Sequence, residues 1–117
     1  MSSNFLNDEN KGDIIIYQSE SGETKIDVRF QDETVWLTQA QMAELFQRER
    51  SGITKHIKNV FAEGEVDEKS NVKNIHIANS DKPVAYYSLD VIISVGYRVK
   101  SLRGTQFRIW ANSVLKE

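Results

Sequence analysis

Hydrophobic positions along the chain change period several times, and each change marks an element. Ile14-Ile15-Ile16-Tyr17 is a short β-branched run within Asp13 to Gln18. After the turn Glu20-Ser21-Gly22-Glu23, residues Ile26, Val28 and Phe30 alternate with Lys25, Asp27 and Arg29. That period of two predicts a half-buried hairpin. Gln31-Asp32-Glu33 is a second turn, and Val35-Trp36-Leu37 a short third strand. Thr38 then caps a helix with Gln41 as the other half of a capping box, and Leu37 and Met42 are placed for a hydrophobic staple. Met42, Leu45 and Phe46 form its stripe.

A polar turn, Gln47-Arg48-Glu49-Arg50, leads to a second helix capped by Ser51, with Ile53, Ile57, Val60 and Phe61 as its apolar face and Gly64 as its stop. Glu65 to Ser70 is a polar connection. Val72 to Ala78 and Val84 to Tyr87 predict a second hairpin around Asn79-Ser80-Asp81-Lys82. Ser88 caps a third helix, Asp90 favours its first turn, and its residues to Val99 are apolar nearly all round. Lys100 to Gly104 is a break. Thr105 to Leu115 is the fourth helix, with Phe107, Trp110, Ala111 and Val114 on one stripe.

The helical pair spanning Gln39 to Lys58 has the spacing of a helix-turn-helix, with Ala43 at the close crossing. Tucking Ile53 and Ile57 inside leaves Arg50, Ser51, Thr54, Lys55 and Lys58 pointing away, where a DNA groove fits. Ser51 and the first-turn amides would hold a phosphate, Arg50, Thr54 and Lys55 would reach base edges, and Lys58 would contact the backbone. The turn departs from the usual pattern. Gln47 stands where glycine is common, and Arg48, counted with the DNA-facing cations, stands where an apolar residue is common. A hairpin directly after the second helix has the position of a wing. The rival reading is an αα-hairpin used for protein–protein docking or dimerisation within a larger effector.

Net charge changes the picture through its distribution. The total is −2, which alone disfavours nucleic acid. Residues 38–61 carry four basic and two acidic groups, and residues 96–117 five and one. Salt screens charges beyond about 8–10 Å, so the field at one face outweighs the total. The second cluster, Arg98, Lys100, Arg103 and Arg108, straddles the break between the last two helices. Arg98, Lys100 and Arg103 would anchor phosphates. Long basic stems that cover apolar surface are the competing explanation.

Catalytic chemistry is poorly represented. There is no cysteine, and His56 and His76 lie on different elements without ligand spacing, so no metal or cofactor is expected. Glu63, Glu65, Asp67 and Glu68 read as solvated surface, and Trp36 and Trp110 as core anchors. The protein is not expected to be an enzyme. No apolar run approaches the roughly 18 residues of a membrane span, and no secretion signal opens the chain. The expected location is the cytoplasm.

Several words of sequence resemble the virulence protein RhuM family, in its N-terminal region: Val35-Trp36-Leu37-Thr38-Gln39, Met42-Ala43-Glu44-Leu45-Phe46, the stretch His56 to Glu65, the stretch Tyr87 to Val99, and Arg103 to Ala111. The likeness covers Ile14 to Leu115. It implies a bacterial DNA-binding module borne by pathogenicity islands or other mobile DNA, in proteins that run on into a C-terminal region. Arg48-Glu49-Arg50-Ser51-Gly52 departs from the more neutral turn of that family, which bears on base preference. The expectation is therefore an α+β chain. Residues 1–12 form a disordered tail. Residues 13–117 form a single winged-helix-like DNA-binding domain, a small antiparallel sheet with a winged helix-turn-helix-like unit and two C-terminal helices. The expected partner is double-stranded DNA, bound as a homodimer or with the help of a longer chain, and no membrane.

Overall fold

A computed structural model describes residues 12–78 and 81–116. The tail expected at 1–12 lies outside these residues except for Gly12, as do Asn79 and Ser80 of the second hairpin turn. The architecture is α+β. In chain order the elements are β1 (Asp13–Gln18), β2 (Lys25–Gln31), β3 (Thr34–Leu37), α1 (Gln39–Phe46), α2 (Arg50–Ala62), α3 (Glu68–Asn71), β4 (Val72–His76), β5 (Pro83–Ser88), α4 (Leu89–Val99) and α5 (Leu102–Leu115). All strands pair antiparallel in one sheet of order β1-β2-β3-β5-β4.

Alternation in β2 sends Ile26 and Val28 into the core, and pairing of Tyr17 with Ile26 brings the Tyr17 ring to the same face. Val35, Leu37 and Tyr87 continue that face, and the helices close over it with Met42, Leu45, Phe46, Ile53, Ile57, Val60, Val91, Val95 and Phe107. Tyr17 packs edge-on against Phe107 and Trp110, each at 5.1 Å between ring centroids. The other face holds a second cluster, Trp36, Ile75 and Tyr86. Lys73 lies 5.4 Å from the Trp36 ring and 2.5 Å from Asp32, while Arg29 lies 5.0 Å from the Tyr86 ring. Cations over aromatic faces shield this cluster from water.

The expected capping box at the start of α1 is present in both directions. Gln41 N–H donates to Thr38 Oγ1 at 3.1 Å, and Thr38 N–H donates to Gln41 Oε1 at 3.0 Å. Gly64, at φ +74°, ends α2: Glu65 N–H reaches back to the carbonyl of Val60 at 3.0 Å.

Four boundaries differ from the sequence reading. α2 opens two residues early, with Glu49 rather than Ser51 at its cap. Ser88 stands at the α4 cap, but its hydroxyl donates to Asn71 Oδ1 at 2.6 Å and accepts no first-turn N–H of the helix. A single-turn helix, α3, occupies part of the polar connection. α5 starts at Leu102, because Gly104 is not a breaker but a contact point. A Cβ added there would sit 3.2 Å from Gly96 Cα and 3.2 Å from the Phe46 ring. Two glycines let α4 and α5 touch over Phe46.

The β4–β5 hairpin joins the sheet by only two residue pairs, Trp36 with Ser88 and Leu37 with Tyr87. Its Pro83–Tyr86 part therefore runs past the end of β3 toward the starts of α1 and α2.

Candidate nucleic-acid interface

Helical periodicity divides α2 cleanly. Ile53, Ile57 and Val60 are buried, Ser51, Lys55 and Lys58 are exposed on the opposite side, and Arg50, one turn before Ile53, is exposed at the start of the helix. No carboxylate of the described residues pairs with Arg50, Lys55 or Lys58. Glu49 caps the helix without a side-chain hydrogen bond, so no capping side chain claims the first-turn amides. Gly52 has open space where a Cβ would go, so packing within the chain does not require a glycine in this turn.

Thr54 is half-buried and already engaged. Its hydroxyl lies 3.0 Å from Gln39 Oε1 and 3.0 Å from the Arg50 carbonyl, and one hydroxyl hydrogen serves one of them at a time. Gln39 in turn donates to the Tyr87 hydroxyl at 3.5 Å. This chain links α1, α2 and β5 around an open groove of about 300 Å³ that Thr38, Gln39, Arg50 and the Pro83–Ala85 stretch line. Gln39 and the β5 backbone are members of the site that sequence reasoning missed. The i, i+4 pattern identifies what a helix exposes, but the convergence of two helix starts with a strand is tertiary.

The turn is three residues long. Gln47 takes the left-handed conformation, φ 56° and ψ 50°, that glycine usually supplies there. Its side-chain amide donates to the Glu44 carbonyl at 2.7 Å. The reach of Arg48 explains how a cation replaces the expected apolar residue. Its guanidinium donates to the Val99 carbonyl at 3.0 Å and to the Phe46 carbonyl at 3.3 Å. It thereby caps the C-terminal ends of α1 and α4 together, where helix dipoles favour positive charge. Arg48 was counted among DNA-facing cations; its donors are turned inward.

Arg98 and Arg103 also differ from expectation. Arg98 donates to Glu63 at 2.6 Å and to Glu65 at shorter range, so two carboxylates neutralise it. Those hydrogen bonds, Glu63 first and Glu65 second, raise the Arg98 pKa above its ordinary value. Arg103 donates to the Leu45 carbonyl and to Thr24 Oγ1, both at 3.3 Å, and fastens the end of α1 to the β1–β2 turn. Lys100 alone of that trio is exposed, in the left-handed position that ends α4. His56 is half-buried on α2, and its Nδ1 is buried without a hydrogen-bond partner.

No group of three or more His, Asp or Glu residues able to hold a metal occurs among the described residues. No helix among them is long and apolar enough to cross a membrane.

The model of the virulence protein RhuM family matches residues 56–117. The match takes in α2 from its middle onward, the β4–β5 hairpin, α4 and α5, while α1 and the first three strands precede it. No curated protein and no solved structure matches the chain.

Proposed function

The chain belongs to the virulence protein RhuM family, and from that premise and the geometry of α2 we propose that it is a module that binds duplex DNA in the bacterial cytoplasm. The observation that carries the proposal is the solvent face of α2: Arg50, Ser51, Lys55 and Lys58 stand free while Ile53, Ile57 and Val60 are locked inside. An α-helix of this size fits the major groove, and its N-terminal residues meet base edges. Arg50 and Lys55 read bases, Ser51 and the first-turn amides hold a phosphate, and Lys58 contacts the backbone. Gly52 leaves room for that phosphate to approach the helix. The β4–β5 hairpin serves as a wing beside the groove that Gln39 and Arg50 line.

The chain acts by binding rather than catalysis. Arg48, Arg98 and Arg103 leave the set of DNA contacts because their donors are committed elsewhere. Thr54 acts through Gln39, and Lys100 remains as a peripheral phosphate contact. One α2 covers only a half-site, so tight binding calls for two copies on a duplex or for further chain.

Selection of binders from random duplexes at defined salt, followed by a salt titration, tests the proposal. Arg50→Ala with Lys55→Ala should weaken binding about tenfold or more and lower the salt slope by roughly two, because fewer counterions are released. Unchanged affinity and slope in that double variant would reject the assignment of α2 to the groove.

A further inference from the structure

α5 is apolar on two sides. Phe107 and Ala111 are buried toward the core, yet Leu102 and Ile109, seven residues apart on the opposite side, are 78% and 59% exposed. Tyr97 on α4 is 75% exposed. Between the helices runs a narrow cleft whose walls are Ile93, Gly96 and Tyr97 of α4 and Gly104, Thr105 and Arg108 of α5. Its floor exists because Gly96 and Gly104 let the helices meet. A helix that serves only a monomer core has one apolar stripe; large exposed apolar groups gathered beside a cleft mark a contact surface.

The size of the cleft limits what it can take. Its volume is about 30 Å³, near that of one water molecule, so no cofactor or metabolite fits. A knob no larger than a methyl group, from a crossing helix, does.

Charge selects the kind of helix. Between Asp90 and Glu117 the sequence contains no carboxylate. Within that stretch Arg98 is neutralised by Glu63 and Glu65, and Arg103 is turned inward. Lys100, Arg108 and Lys116 flank the apolar groups with no ion-pair partner among the described residues. A second copy laid across this face by a two-fold axis would bring these cations against themselves, because a two-fold contact uses the same patch twice. A helix with acidic flanks would meet them with opposite sign.

We infer that the α4–α5 face docks an amphipathic helix of a partner protein, with apolar side chains on Tyr97, Leu102 and Ile109, a knob in the cleft, and carboxylates toward Lys100, Arg108 and Lys116. This surface shares only Lys100 with the proposed DNA contacts, so substitutions at Leu102 and Ile109 leave those contacts intact.

Two labelled peptides test it, each about 18 residues or five helical turns long. Both carry the same leucine stripe; one has glutamate at the remaining helical positions and the other lysine. Fluorescence anisotropy against the whole chain should show micromolar binding of the glutamate peptide and roughly tenfold weaker binding of the lysine peptide. Amide shifts of the isotope-labelled protein should gather at Ile93, Tyr97, Thr105 and Ile109. Leu102→Ser with Ile109→Ser, both at the surface, should cut the glutamate peptide's affinity about tenfold while the melting temperature and duplex binding hold. No binding up to millimolar peptide, equal binding of the two peptides, or indifference to the serine pair overturns the inference. A concentration-dependent dimer abolished by the serine pair assigns the face to a second copy and overturns it as well. Tighter binding to phosphatidylserine vesicles than to the glutamate peptide, lost in the serine pair, does the same in favour of a membrane surface.

Discussion

On α2, Arg50, Lys55 and Lys58 stand in solvent with no carboxylate of the described residues against them; around the ends of α1 and α4, Arg48, Arg98 and Arg103 donate to partners within the fold. Arg48 shares its stretch of sequence with the first group, and Arg98 and Arg103 lie in the second basic stretch. Their fates differ with what lies within reach: helix-end carbonyls for Arg48 and Arg103, and the Glu63 and Glu65 carboxylates for Arg98. The last carbonyls of α1 and α4 lack intrahelical partners, and an arginine fork satisfies several at once. The ammonium groups of Lys55 and Lys58 project from the middle of a helix, where backbone carbonyls are already bonded, and so stay available. Positive charge in a sequence therefore stays available only where neither helix-end carbonyls nor nearby carboxylates claim it.

The sharpest test of this division replaces Arg48 and Arg103 with methionine, which keeps an unbranched apolar stem and removes the donors. Three carbonyl acceptors, those of Phe46, Val99 and Leu45, lose their cationic partners. Stability in urea should fall by about 2–3 kcal/mol, since hydrogen bonds to charged groups are stronger than neutral ones and Arg48 is discounted for its exposure. Duplex affinity of the folded variant should hold. A variant of undiminished stability that binds DNA as poorly as the Arg50 and Lys55 double variant would put these arginines back on the DNA face and dissolve the contrast.

The local part of this architecture was legible. The stripe of Ile53, Ile57 and Val60 and the capping box of Thr38 and Gln41 are written within a few residues, and both are where periodicity places them. So is the pair of hairpins, since alternation fixes which side chains face the core. The illegible part is non-local or depends on backbone conformation. Arg98 meets Glu63 across 35 residues of sequence, and the polar connection that holds Glu65 looked like plain solvated surface. Gly104 looked like a breaker because its use, contact with Gly96, belongs to another helix. Gln47 hid the turn, since a non-glycine residue in the left-handed region leaves no compositional sign.

A smaller effect comes from releasing Arg98. Glu63→Gln with Glu65→Gln removes the two carboxylates and leaves the guanidinium unneutralised. If this cation lies within a Debye length of bound DNA, the variant should bind a few-fold more tightly, with a salt slope steeper by up to about one. Identical titrations for variant and parent would confine the footprint to α2 and the hairpin, and would make the two clusters separate in space as well as in role.

The subtlest test joins Arg103 to the core beneath it. Burial raises the pKa of the Tyr17 phenol; Arg103 pulls it back down, and Glu20 pushes it up. The balance is a folded-state pKa above the ordinary value of roughly 10. The protonated phenol is thus favoured in the folded chain. Its contribution to stability is complete below the unfolded pKa and is lost as pH rises through the folded one. Urea midpoints should be insensitive to Tyr17 at neutral pH and should decline above about pH 10, with a shallower decline in Tyr17→Phe. In Arg103→Met the charge that favours phenolate is gone, so the folded pKa moves further up and the alkaline loss grows. That growth requires an arginine held beside the core. An alkaline limb identical in Arg103→Met and the parent would mean that Arg103 spends its time in solvent, and the line between caged and free cations would have to be redrawn.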